Sequence, residues 1–146
     1  MKSTIRRVHR VFQLSPGERA VLVQAWGLFL LVELALRILP FTRLLTLSRK
    51  VFLKQKSEPA LGLVPSVPRL AWLVEIAGRY TPVTATCLKK AMVLSWLLAR
   101  RGTQTEVRIG VARHDGRLKA HAWLDYDGQV ILGYQEFKRY ETILQA

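Results

Sequence analysis

Between Thr86 and Tyr134 the sequence changes from one hydrophobic rhythm to another, and that change constrains the fold more than any other feature. Leu88 to Arg101 is strongly apolar and predicts a helix. Thr84 or Thr86 can cap its start, Arg100 and Arg101 suit its negative end, and Gly102 suits the left-handed position that follows. From Thr105 to Arg113 the pattern alternates, with Val107, Ile109 and Val111 on one side, as in a half-buried strand. His114-Asp115-Gly116 is a turn, Arg117 to Tyr126 a second strand, Asp127-Gly128 a tight hairpin turn and Gln129 to Tyr134 a third strand. A helix followed by an antiparallel β-meander is an α+β arrangement.

The residues before this core are of a different kind. Ser15, Pro16 and Glu18 have the spacing of a capping box with proline at the first helical position. An apolar stretch from Ala20 to Phe41 follows, long enough to span a bilayer but interrupted by Gln24, Glu33 and Arg37. Glu33 and Arg37 stand one helical turn apart and can pair. A charge at mid-membrane costs on the order of 3 kcal/mol, which favours an amphipathic or protein-packed helix over a transmembrane one. The stretch is too long for a signal peptide and no small-residue cleavage site follows it. Lys54 to Pro68 is polar and then proline-rich, so no long helix runs through it. Arg69 to Tyr80 reads as a short helix. The expected organisation is a basic helical extension over residues 1–57, a linker over 58–68 and the chemical core over 69–146.

Charge follows the same division. The 146-residue chain carries a net +13. Residues 1–57 hold eleven Lys/Arg against Glu18 and Glu33, a net +9, which leaves +4 for the rest. Such a surface suits an acidic partner or anionic lipid, and peripheral association with a membrane through residues 1–50 is compatible with it. No aromatic-interleaved basic motif or zinc pattern marks a nucleic-acid reader, so no nucleic acid is expected. The chain has one cysteine, which excludes an intramolecular disulfide and fits a reducing, cytoplasmic setting.

That cysteine, Cys87, falls in the first turn of the predicted apolar helix. Unpaired backbone N–H groups and the positive helix end favour a thiolate there, and Lys89 and Lys90 add positive charge. The competing reading is a small residue facing the core. On the second strand His121, Trp123 and Asp125 share one face, and Ala120 and Ala122 leave room around the imidazole. His114 lies in a turn and His9 in the basic N-terminus. A helix-start thiol and a mid-strand imidazole brought together by the fold would make a nucleophile and its general base. Trp123 is placed either to wall a substrate cleft or to fill the core.

Several segments together carry a family resemblance: Cys87-Leu88-Lys89-Lys90-Ala91, Leu97 to Gly102, Val107 to Val111, Ala120-His121-Ala122-Trp123-Leu124-Asp125 and Asp127-Gly128. In these the chain resembles the lasso peptide B2 leader peptidases. This is the family of the microcin J25-processing protein's C-terminal domain, within the transglutaminase-like superfamily. The likeness covers about Arg69 to Ala146, and the Leu-Ser-Pro-Gly-Glu-Arg segment with its apolar helix resembles the family's N-terminal extension. It implies a papain-like cysteine peptidase that removes the leader from a ribosomally made precursor, with Cys87 and His121 as its catalytic residues and no cofactor. It also implies two partners, a small B1-type leader-recognition protein and an ATP-dependent cyclase that closes the ring. A transglutaminase-like acyl transferase and a non-catalytic scaffold of a peptide-modifying complex are the alternatives.

One departure concerns the third catalytic member. The family pattern has an Asp on the strand after the His, and that place falls near Leu132-Gly133, where neither residue is acidic. A two-residue loop at Asp127-Gly128 sets Tyr126 opposite Gln129, Trp123 opposite Leu132 and His121 opposite Tyr134. Asp125 then lies about 13 Å from His121 along its own strand, too far to orient the ring. Gln135 and Glu136 are the candidates if a bulge brings them in, and a Cys-His dyad is the other solution.

Overall fold

Ser15 begins the first helix as its spacing predicts. The computed structural model describes residues 13–54, 66–133 and 141–145. Within them Ser15 Oγ accepts from the backbone N–H of Glu18 at 3.2 Å, and the Glu18 carboxylate accepts from that of Ser15 at 2.9 Å. Both bonds of the capping box are therefore present. Helix α1 runs over Pro16–Ile38 and stops where Leu39 turns extended before Pro40, a residue that disfavours helical geometry in its predecessor. A second helix, α2, spans Phe41–Lys54, so the apolar stretch is essentially one helix that ends before Pro40, with only Phe41 in the next. Helix α3 covers Val67–Tyr80, with Pro68 in its first turn, where a missing N–H costs nothing. Helix α4 covers Cys87–Ala99.

The sheet has strands β1 (Glu106–His114), β2 (Arg117–Tyr126), β3 (Gln129–Leu132) and β4 (Glu141–Gln145), in the order β3-β2-β1-β4, all antiparallel. The predicted α+β arrangement of a helix followed by a meander is observed, with β4 added beside β1. Both hairpins turn on Asp-Gly with positive φ at both residues, the geometry whose twist matches that of the strands. The third strand is shorter than expected and its register differs. Tyr126 faces Gln129 and Asp125 faces Val130, but Leu124, not Trp123, faces Leu132. One extra β3 residue, Ile131, makes a bulge that shifts everything beyond it by one position.

Helix α4 is the centre of the molecule. Nine of its thirteen residues are buried, more than one amphipathic face provides, because it packs against α1 and α3 as well as against β1 and β2. Phe29 and Leu28 from α1, Leu73 and Val74 from α3, and Leu124 and Val107 from the sheet join it in one core. Its buried Ser95 hydroxyl is matched by the hydroxyl of Thr105 at 3.1 Å. The rest of α1 is exposed along Val23, Leu30, Leu34 and Ile38, and by length and composition the helix could cross a bilayer. Trp26 turns back to the protein, its indole N–H donating to the Tyr80 carbonyl at 3.1 Å.

Two glutamates of α1 fasten it to the other helices. Glu18 accepts from Arg69 of α3 at 2.6 Å, and Glu33 pairs with both Arg37 and Lys89 of α4. The hydrogen bond from Arg69 holds Glu18 below the ordinary carboxylate value of 4.5, and the hydrogen bond from Lys89 does the same to Glu33. A carboxylate whose pKa is depressed by folding contributes stability that is complete above its unfolded value and lost as pH falls through the folded one. Stability should therefore be level above pH 4.5 and decline below it, and Glu33→Gln should make that decline shallower in urea titrations at stepped pH. Phe29 has no exposed surface, and Phe29→Ala should cost about 3–5 kcal/mol in the same measurement.

Candidate functional site

The site is built from the start of α4 and the middle of β2. Thr86 is extended, with φ −69° and ψ 163°, and its hydroxyl accepts from the N–H of Lys89 at 3.4 Å. Thr86 is therefore the cap, and the Thr84 carbonyl takes another role below. Cys87 is the first helical residue and is half-buried, so its own N–H belongs to the turn that has no intrahelical acceptor.

The two lysines beside Cys87 are bound to partners. Lys89 is nearly buried, pairs with Glu33 and donates to the Thr84 carbonyl at 2.8 Å. Lys90 donates to Glu75 of α3 at 2.8 Å. They tie the first turn of α4 to α1, to α3 and to the segment leading into Cys87, and their charges are largely answered locally. From the sequence alone they are expected as added positive charge next to the thiol. Gly78 lets the end of α3 close on the same segment, because a Cβ there would stand 3.1 Å from Ala85 Cβ and 3.3 Å from Lys90 Cε.

His121 lies on β2 opposite Gly110 of β1, on the same pleat as Trp123 and Asp125. Trp123 is buried and its ring lies 6.3 Å from the imidazole with 22° between the planes. The Nε2 atom of His121 is 3.3 Å from the carbonyl oxygen of Gly133. Gly133 has φ +82°, and a Cβ on it would stand 3.1 Å from His121 Nε2 and 3.1 Å from Trp123 Cβ. Asp125 is buried and its carboxylate lies 3.7 Å from Arg108 Nε, an ion pair across the β1–β2 ladder. The candidates for a third member, Gln135 and Glu136, and also Tyr134, lie outside the described residues.

A helix that begins with the single cysteine packs on a strand that carries a histidine next to a buried tryptophan. The sequence model of the transglutaminase-like superfamily matches residues 30–145. The chain belongs to the transglutaminase-like superfamily. This superfamily includes cysteine peptidases and acyltransferases. The match begins within α1 and takes in every later helix and the whole sheet, so both Cys87 and His121 fall within it. No curated protein and no solved structure matches the chain. Within this transglutaminase-like domain, sequence reasoning missed the Gly133 carbonyl, since a backbone acceptor leaves no side-chain signature. It also missed Glu33 and Glu75 as partners of the two lysines, since both pairs join separate helices. Thr86→Ala should remove the cap under Cys87 and cost about 1 kcal/mol in thermal or urea unfolding, whereas Thr84→Ala, which keeps its carbonyl, should cost less.

Proposed function

We propose that the chain is a cysteine peptidase that removes the leader from a lasso peptide precursor, with Cys87 as nucleophile and His121 as general base. The observation that carries this reading is the half-buried thiol at a capped helix start, on a helix packed against the strand that bears His121. The family resemblance in the Cys-Leu helix and the Ala-His-Ala-Trp strand supports the choice of substrate.

In the proposed reaction, His121 takes the Cys87 proton and the sulfur attacks the carbonyl carbon of the leader–core bond. The oxyanion that forms is met by the backbone N–H of Cys87. Collapse breaks the C–N bond, and the leaving amine of the core peptide takes the proton from His121. The leader remains as a thioester on Cys87. Water then attacks the thioester, His121 accepts its proton, and the leader leaves as a carboxylic acid with the thiol restored. The freed core amine is the group that a partner cyclase would join to a side-chain carboxylate. A small recognition protein would present the leader, and the basic N-terminal part would meet an acidic partner or an anionic membrane surface.

Acyl transfer is the second reading, because the superfamily holds acyltransferases as well. An amine in place of water would then resolve the thioester. Incubation of the purified chain with a lasso peptide precursor, with and without a leader-recognition protein, tests both. Free leader and free core by mass spectrometry mean hydrolysis, and a new amide means transfer. Cys87→Ala should abolish conversion while the circular dichroism spectrum stays unchanged. Conversion by that variant at the wild-type rate would overturn the assignment.

A further inference from the structure

We propose that the backbone carbonyl of Gly133 is a group that positions the His121 imidazole, holding its proton on Nε2 and so presenting Nδ1 as the basic nitrogen. The role of Nδ1 rests on the cysteine-peptidase reading, but the hydrogen bond does not. A carbonyl oxygen accepts and never donates, and neutral imidazole has one donor and one acceptor nitrogen. The nitrogen 3.3 Å from Gly133 O must therefore carry the proton. The partner of a histidine nitrogen sets the tautomer of the whole ring. In the charged imidazolium both nitrogens donate, so the bond to Gly133 persists as Nδ1 gains and loses its proton. Gly133 is thus a positioning residue and takes no part in bond making.

Three independent features of the chain deliver this oxygen. The bulge at Ile131 moves Leu132 opposite Leu124, so that Gly133 arrives beside Trp123 and His121. The φ of +82° at Gly133 lies in the left-handed region that side-chain-bearing residues rarely adopt. A Cβ on Gly133 would also crowd Nε2, Trp123 Cβ and the Ala122 carbonyl, all within 3.2 Å. The first places the residue, the second aims its carbonyl, and the third allows the approach. The ring of Trp123, 22° from parallel, limits rotation of the imidazole from the other side. Unlike a carboxylate, this acceptor has no ionisation of its own, so the orienting bond does not depend on pH.

The test is long-range proton–nitrogen correlation NMR on the full chain with nitrogen-labelled histidine, with the His121 signals assigned by their loss in His121→Gln. The neutral ring should show Nε2 protonated and Nδ1 unprotonated, with the Nε2 proton in slow exchange with water and close to the Gly133 α-protons. A ring protonated on Nδ1, or an Nε2 proton that exchanges as fast as that of a solvent-exposed histidine, overturns the proposal. Gly133→Ala should lose the slow proton and lower kcat for precursor cleavage by about 10²-fold with KM little changed. Loss of the proton with kcat unchanged overturns the positioning role. If that variant does not fold, the wild-type spectrum still decides the hydrogen bond. Cleavage by Cys87→Ala alongside the expected wild-type spectrum would sink the peptidase reading and leave the Gly133 bond standing.

Discussion

Lys89 is the residue whose placement the other helices accommodate. A lysine head group that is nearly buried is costly unless its charge is answered and its protons are accepted. Here Glu33 supplies the charge and the Thr84 carbonyl a second acceptor, so one ammonium ties α1 and the Thr81–Thr86 segment to the first turn of α4. Lys90 repeats the arrangement toward α3 through Glu75. Apolar packing of Phe29, Leu73 and Leu94 is strong, but the burial of apolar area is not itself directional. The two ion pairs add directional links that fasten the first turn of α4, which carries Cys87, to α1 and α3.

Local chemistry made much of this legible in the sequence. Ser15 and Glu18 announced a helix start because a capping box is complete within four residues, and both Asp-Gly pairs announced hairpins because few other dipeptides accept positive φ twice. The Glu33–Arg37 pair was equally visible. Its long-range partner Lys89 was not, because nothing in the spacing of two residues on separate helices says that they meet. Helix α4 was legible as a helix, but its burial on nearly every side depended on α1 and α3 joining the sheet around it.

The site divides along the same line. Cys87 was visible as a helix-start thiol, since the threonine before it and the apolar run after it fix its position. His121 was visible from its strand and its small neighbours. The group that meets His121 Nε2 was hidden twice, first because it is a main-chain oxygen and then because a bulge delivers it. Regular pairing sets Trp123 opposite Leu132, and one inserted residue is enough to break that count. The family pattern calls for a carboxylate near Leu132-Gly133, and a main-chain oxygen of that segment lies 3.3 Å from His121 Nε2.

Helix α1 has a consequence for how the domain is bounded. The superfamily match begins at residue 30, yet Val21, Ala25, Leu28 and Phe29 lie before that point and are buried in the shared core. They wall the side of α3 and α4 that faces away from the sheet. A chain trimmed to the matched residues would keep Glu33 for Lys89 but would open that wall to water and discard the cap at Ser15. The unit that folds is therefore longer than the unit that is recognisable by descent.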